Sequence, residues 1–223
     1  MKHVLAFDIG GTNTRLALVN EKYEVVKQLV LPTKTGDVET FINNVFDVVD
    51  GLNIDMKDVL SAGTGVPGVV DRERNYILDL PNVYVKDIPL GEVFEKKYGV
   101  KMFIRNDAEV ACLAEANLGA GKDVDRTFFI TISTGLGGAL CVDGVNQDYI
   151  TEVGHTAVVY KGILSEYERL CSGSGIINLC KYNDVTIKDS KEFFDRVRAN
   201  DIVIMPIFED WLTLISNWIR LMK

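Results

Sequence analysis

The sequence predicts an α/β protein built from two similar halves that face each other. Three observations lead there. A pattern of strand, glycine turn, strand and hairpin runs from residue 4 and returns from residue 127. Apolar runs of strand length alternate with stretches of helical spacing. The 223 residues, 47% hydrophobic and 25% charged, have an ordinary globular composition and are enough for one large domain or two small ones.

Each element has a local reason. Val4 to Ile9, Arg15 to Val19 and Tyr23 to Leu31 are apolar runs separated by Gly10-Gly11 and Asn20-Glu21-Lys22, which predicts an antiparallel three-stranded meander. Val38, Phe41, Ile42, Val45, Phe46 and Val49 share one helical face, with Asp37 placed to cap it. Val59 to Ala62 is a brief strand entering a Gly/Pro loop, Gly63 to Gly68. A helix is expected over Leu90 to Tyr98, a strand over Lys101 to Arg105, and an Ala-rich helix from Asp107 to Leu118 that closes near Gly119 and Gly121. The second half opens with a strand, Arg126 to Ser133, a glycine turn, Thr134 to Gly138, a strand, Ala139 to Val142, and a hairpin turn at Asp143-Gly144. A stripe of Ile207, Phe208, Trp211, Leu212, Leu214, Ile215, Trp218, Ile219 and Met222 marks a last helix whose apolar face requires a partner and would suit an interface.

Composition excludes several function classes. The net charge is −8 and no block of Lys and Arg accumulates, which argues against nucleic-acid binding. No apolar run approaches the ~20 residues a membrane span needs, and the longest, Ile202 to Phe208, is interrupted by Pro206. The N-terminal run is too short for a secretion signal and reads as a first strand. The four cysteines form no C-x-x-C pair, so free thiols in a reducing, cytoplasmic setting are expected. With only two histidines, clustered zinc ligands are not expected.

Two glycine turns can hold anions. Gly10 and Gly11 let the backbone turn tightly with its N–H groups inward, and Thr12, Asn13 and Thr14 add donors. Asp8, at the strand end just before them, is suited to a nucleotide's magnesium, usually through water. The alternative is a plain hairpin turn with polar decoration. Ser133 to Gly138 has the same ingredients in reverse order. Gly63-Thr64-Gly65-Val66-Pro67-Gly68 matches G-x-G-x-x-G literally, but Pro67 and the extended Val69-Val70 deny it the helix that a dinucleotide fingerprint must open. Asp107 stands between a strand and a helix, where it either caps the helix or projects as a general base. His155, three residues after Glu152, is either a satisfied structural group or shares a polyhydroxylated ligand with that glutamate; Glu166 and Glu168 follow nearby.

In order, DIGGTNTRLAL at 8–18, GVPGVVD at 65–71, LPN at 80–82, ND at 106–107, STGLGGAL at 133–140, EVGH at 152–155 and ERLCSG at 168–173 resemble the sugar-kinase branch of the ROK family. The resemblance implies an actin-like ATPase (ribonuclease H-like) fold, with one lobe over residues 1–106, a second over 107–223 and a ligand cleft between them. It implies an ATP- and Mg2+-dependent, glucokinase-like transfer to the 6-hydroxyl of glucose or a related hexose, in a cytoplasmic homodimer. Asp8, Gly10, Gly11, Thr12 and Asn13 match the first phosphate motif, and Thr134, Gly135, Gly137 and Gly138 the second. Asp107 matches the catalytic base. Asn106, Glu152, His155 and Glu168 match sugar ligands, with Gly68 and Asn82 as weaker sugar-side contacts.

The sequence departs from the family pattern twice. Many members carry the zinc motif C-x-C-G-x-x-G-C after the EVGH histidine, whereas residues 156–168 contain no cysteine, as in a zinc-free subset. The strand, Gly-Gly turn and helix that contact adenosine would lie beyond residue 223, so the second lobe is expected to be incomplete at its C-terminus. A non-catalytic sugar-binding or regulatory protein is the alternative reading, followed by another actin-like kinase or chaperone-type ATPase.

Overall fold

In the computed structural model, which describes residues 2–147 and 152–222, the chain separates into two units, Met1–Ala114 and Glu115–Lys223. The sequence suggested a division at residue 107. Instead it falls within a helix that starts directly at the end of a strand. The first turns of that helix bury Ala108 and Glu109 and stay with the first unit.

The first unit begins with the meander β1 (His3–Ile9), β2 (Asn13–Asn20) and β3 (Val25–Pro32). The chain continues through α1 (Val38–Leu52), β4 (Val59–Val66), a three-stranded antiparallel sheet of β5 (Val69–Asp71), β6 (Tyr76–Leu80) and β7 (Val85–Ile88), α2 (Leu90–Tyr98), β8 (Met102–Asn106) and α3 (Asp107–Leu118). The main sheet has the order β3-β2-β1-β4-β8, with β4 parallel to β1 and β8 parallel to β4. Strand alternation turns Leu5, Phe7 and Ile9 inward and leaves Asp8 exposed on the opposite face. Phe41, Val45, Val48 and Val49 of α1 and Phe94 of α2 join the same core. Asp37 caps α1 as expected, accepting from the Thr40 N–H at 2.7 Å. The loop expected over Gly63 to Gly68 is shorter: Gly63 to Val66 extend β4 and pair in its ladders, only Pro67-Gly68 joins β4 to β5, and no helix follows.

The second unit carries β9 (Arg126–Ile132), β10 (Leu136–Val142) and β11 (Val145–Asn146) in the order β11-β10-β9. A separate hairpin, β12 (Ala157–Tyr160) and β13 (Ile163–Glu166), precedes α4 (Tyr167–Cys171), α5 (Gly175–Lys181), α6 (Ser190–Arg198) and α7 (Met205–Leu221). The glycine turn expected over 134–138 is shorter. Gly137 and Gly138 pair with Thr131 and Ile130 inside the β9–β10 ladder, so the turn proper is 133–135. The Asp143-Gly144 hairpin turn is present, with both residues at positive φ.

The α7 stripe finds its partner within this unit. Ile207, Leu214, Ile215 and Trp218 are buried with Leu170, Leu179 and Phe193. Leu212, Ile219 and Leu221 lie on the exposed side. The Trp218 ring is fully buried, and its Nε1–H donates to the Val153 carbonyl at 2.9 Å. Trp211 donates likewise to the Cys171 carbonyl at 2.9 Å. All four cysteines are free and buried, and burial pushes the Cys171 thiol up to about 12. Among the described residues, no helix is long and apolar enough to cross a membrane.

Trp218→Ala opens a cavity and strips the Val153 carbonyl of a donor. It should cost about 3–5 kcal/mol, read as a lower denaturation midpoint at unchanged denaturant slope.

Candidate active site

Three parallel strands deliver the first group of residues to one edge. Asp8 lies beside Gly65 across the β1–β4 ladder, and Gly65 and Val66 lie beside Arg105 and Asn106 across the β4–β8 ladder. The C-terminal ends of β1, β4 and β8 therefore place Asp8, the loop beginning at Pro67 and the Asn106-Asp107 pair together. This is the edge at which open α/β sheets bind ligands.

The turn after β1 is closed by the Gly10 N–H donating to the Asn13 carbonyl at 2.9 Å. Gly11 faces Asn82, and a Cβ at position 11 would stand 3.0 Å from the Asn82 carbonyl oxygen. The 81–84 turn, anchored by the buried Val83 and otherwise exposed, thus packs against the glycine loop. Thr12 is exposed, and its carbonyl accepts from the Thr33 N–H at 2.9 Å. Thr14, expected as a phosphate donor, is fully buried. Its hydroxyl is engaged by Thr33 Oγ1 at 3.0 Å and Asn44 Oδ1 at 3.4 Å, so it braces the loop from below. Thr33 also donates to the Gly10 carbonyl at 2.7 Å. Asn44 completes the brace by accepting from the Lys34 N–H and donating to the Pro32 carbonyl, each at 3.1 Å.

Asn106, not Asp107, caps α3. Asn106 Oδ1 accepts from the Ala108 N–H at 2.9 Å, and Nδ2 donates to the Gly68 carbonyl at 3.2 Å. Gly68 is pressed against the Asp79 carbonyl with no room for a Cβ. Glu109, buried beside Arg72, accepts from the Asn106 N–H at 3.1 Å. Asp107 is left as the first helical residue, exposed, its carboxylate accepting from the neighbouring Ala108 N–H at 2.8 Å. Partial desolvation raises its pKa, bonds from the Ala108 N–H and its own N–H oppose the shift, and the carboxylates of Asp8 and Glu109 add to it. Asp8 itself is paired with its cross-strand neighbour Arg15 at 2.8 Å.

In the second unit the 133–135 turn is bound to the segment that follows β13. Glu168 Oε2 accepts from the Leu136 N–H at 2.8 Å, and a Cβ on Gly135 would stand 2.8 Å from that same oxygen. Ser174 Oγ donates to the Thr134 carbonyl at 2.6 Å, and the Gly173 N–H to the Ser133 carbonyl at 2.7 Å. Glu152, at φ 54, opens a single 3-10 turn, Val153–His155. The His155 ring lies between two carboxylates, with Nδ1 3.0 Å from Glu166 Oε2 and Nε2 3.6 Å from Glu152 Oε2. The bond to Glu166 raises the ring's pKa, partial burial opposes this, and Glu168, Glu166 and Glu152 add their charges.

Residues 4–221 match the ROK family. The chain belongs to that family. Its fold is that of the actin-like ATPases, shared with the ROK structures it superposes on. It is 30% identical over 164 residues to the glucokinase of Halalkalibacterium halodurans, covering 70% of this chain and 50% of that one. A Streptomyces griseus ROK glucokinase, solved in complex with glucose and AMPPNP, superposes with a TM-score of 0.70 at 24% identity, covering 97% of this chain and 78% of that one. A ROK transcriptional regulator, a homologue of E. coli Mlc, superposes with a TM-score of 0.85 at 20% identity, covering 99% of this chain and 62% of that one. The chain spans about half the length of the curated relatives it matches.

Within this ROK chain the structure groups the expected residues into two constellations, one in each unit. Asp8, Gly10, Gly11, Thr12, Asn13, Gly68, Asn82, Asn106 and Asp107 belong to the first. Thr134, Gly135, Gly137, Gly138, Glu152, His155 and Glu168 belong to the second. Sequence reasoning missed Arg15 as the partner of Asp8, although the hairpin register puts them directly opposite. It also missed the Thr14–Thr33–Asn44 brace, whose members are far apart in sequence and carry no motif.

Asn44→Ala removes three of the brace's bonds at once. It should cost about 1–3 kcal/mol and speed hydrogen exchange at the Lys34 amide relative to the β1 amides.

Proposed function

We propose that this chain carries the catalytic part of an ATP-dependent hexose kinase acting on the 6-hydroxyl of glucose or a related hexose, with Asp107 as general base. One observation carries the reading. At the β8–α3 junction Asn106 takes the helix cap, and the residue after it, Asp107, is a carboxylate with a raised pKa, set at the strand edge beside Asp8 and the braced Gly10–Asn13 loop. A base of that kind has more proton affinity than an ordinary aspartate. The glucokinase and ROK kinase relatives support the class of reaction.

In this reading Asp107 accepts the proton of the 6-hydroxyl as that oxygen attacks the γ-phosphorus of ATP. The bond from phosphorus to the bridging oxygen breaks and ADP leaves. The Gly10–Asn13 loop, whose Gly10 N–H is spent on closing the turn, offers its remaining backbone N–H groups to phosphate oxygens, as does the turn at Thr134 and Gly135 with Gly137 and Gly138 beside it. Magnesium bound with ATP supplies charge neutralisation at the phosphates. Asp8 fits its hydrated shell, because Mg2+ characteristically takes one or two carboxylates together with phosphates and several waters. Asn106, Glu152, His155 and Glu168 take the other sugar hydroxyls, with Gly68 and Asn82 at the rim. The buried free thiols suit a reducing cytoplasm, and the exposed Leu212, Ile219 and Leu221 of α7 suit a homodimer contact.

The likeness to the Mlc-type regulator favours a second reading, a sugar sensor without transfer. An ADP-release assay over glucose, N-acetylmannosamine, fructose and allose, paired with calorimetry, separates the two: the sensor binds sugar and releases no ADP. Asp107→Asn should lower kcat by orders of magnitude while sugar affinity stays near wild type; unchanged turnover would remove Asp107 as the base. Because the raised pKa must be crossed for the base to be ionised, kcat/KM should fall as pH drops through a value above the ordinary aspartate range. A limb at that ordinary range would contradict the electrostatic reading.

A further inference from the structure

Residues 156–168, where many ROK proteins carry zinc-binding cysteines, hold none, yet the segment is firmly built. Ala157 pairs with Glu166 across the β12–β13 hairpin, and the Tyr167 N–H donates to the Thr156 carbonyl at 3.1 Å. Thr156 Oγ1 donates back to the Val153 carbonyl at 2.8 Å, the same carbonyl that the buried Trp218 holds. This register brings Glu166, eleven residues further along the chain, level with His155.

We infer that Glu166 is a positioning residue: its carboxylate fixes the His155 ring by accepting from Nδ1–H, so that Nε2 is presented towards Glu152 for a ligand hydroxyl. The inference rests on the sugar-site reading of His155. Its geometric basis is independent of that reading. The two ring nitrogens point at different carboxylates, one within hydrogen-bond distance at 3.0 Å and one at 3.6 Å. The closer bond selects the tautomer. With Nδ1–H committed to Glu166, neutral His155 offers Nε2 as an acceptor, and a sugar hydroxyl can donate to it. The charged groups around the ring are all carboxylates: Glu152 on the preceding residues, Glu166 on β13 and Glu168 on α4. Glu168 is engaged by the Leu136 N–H. Glu166 is thus the carboxylate placed to steer the ring. A cluster of this kind also favours the imidazolium, so neutral Nε2 becomes available only above the ring's raised pKa.

The chain has only two histidines, so imidazole 15N spectra with His3→Gln as the assignment control read His155 directly. Wild type should show the Nδ1–H tautomer at high pH. Glu166→Ala should shift the ring to the Nε2–H form, lower its pKa and weaken glucose binding by about tenfold, with kcat within about twofold of wild type. Glu166→Gln keeps an acceptor without the charge, so it should retain the tautomer and most of the affinity while lowering the ring pKa. It carries the test if the alanine variant does not fold. An unchanged tautomer and pKa in both variants would overturn the inference, as would a changed tautomer with unchanged glucose affinity. If wild type itself binds no glucose or other hexose, the sugar-site reading fails, and the spectra still decide whether Glu166 orients the ring.

Discussion

The parallel pairing of β1, β4 and β8 sets what the first unit can do. Parallel strands bring equivalent ends together, and here those ends carry Asp8, the 67–68 loop and Asn106-Asp107. A shift of one residue in β1 would turn Asp8 into the core and Ile9 out of it. The register is therefore enforced by burial of Leu5, Phe7 and Ile9 against α1 and α2, and the position of the carboxylates follows from hydrophobic packing. The glycine loop is bound to the same frame through Thr14, Thr33 and Asn44.

Much of this was legible in the sequence because it is local. The meander, the Asp37 cap, the ranges of α2 and α3 and the refusal of the G-x-G-x-x-G loop to open a helix each depend on a few adjacent residues. What was not legible depends on distant pairing. β5, β6 and β7 are three to five residues long, and their connections use non-glycine residues at positive φ, Asn75 and Tyr84, which give no turn signal. Gly137 and Gly138 looked like turn residues by type, but they sit in β10, where the ladder to β9 overrides their flexibility. The α7 stripe looked unpartnered since its partners, Leu170, Leu179 and Phe193, come from three different helices.

The site residues divide along the same line. The motif residues stand in the sequence, but the side chains that tune them do not: Arg15 beside Asp8, Asn106 as the cap, Glu109 with Arg72, and Glu166 beside His155. Asn106 shows why this matters. Because its amide takes the Ala108 N–H and reaches the Gly68 carbonyl, the neighbouring aspartate is relieved of capping. A carboxylate tied into a helix cap would accept several N–H bonds, and its pKa would fall. Asp107 keeps only local bonds, from the Ala108 N–H and its own, is partly desolvated although its surface is exposed, and faces two like charges, so its pKa rises.

Both units gather like charges and then manage them differently. In the first, Asp8 is paired with Arg15 and Glu109 with Arg72, leaving Asp107 as the one of the three carboxylates with no ion pair among the described residues. In the second, Glu152, Glu166 and Glu168 surround one imidazole, and a backbone N–H rather than a cation satisfies Glu168. Selective pairing of this kind leaves one group in each cluster with a raised pKa, Asp107 in the first and His155 in the second. A carboxylate with a raised pKa is suited to take a proton, and an imidazole among carboxylates to give or accept a hydrogen bond. The same residues fully paired would make a more stable surface with no capacity to move a proton.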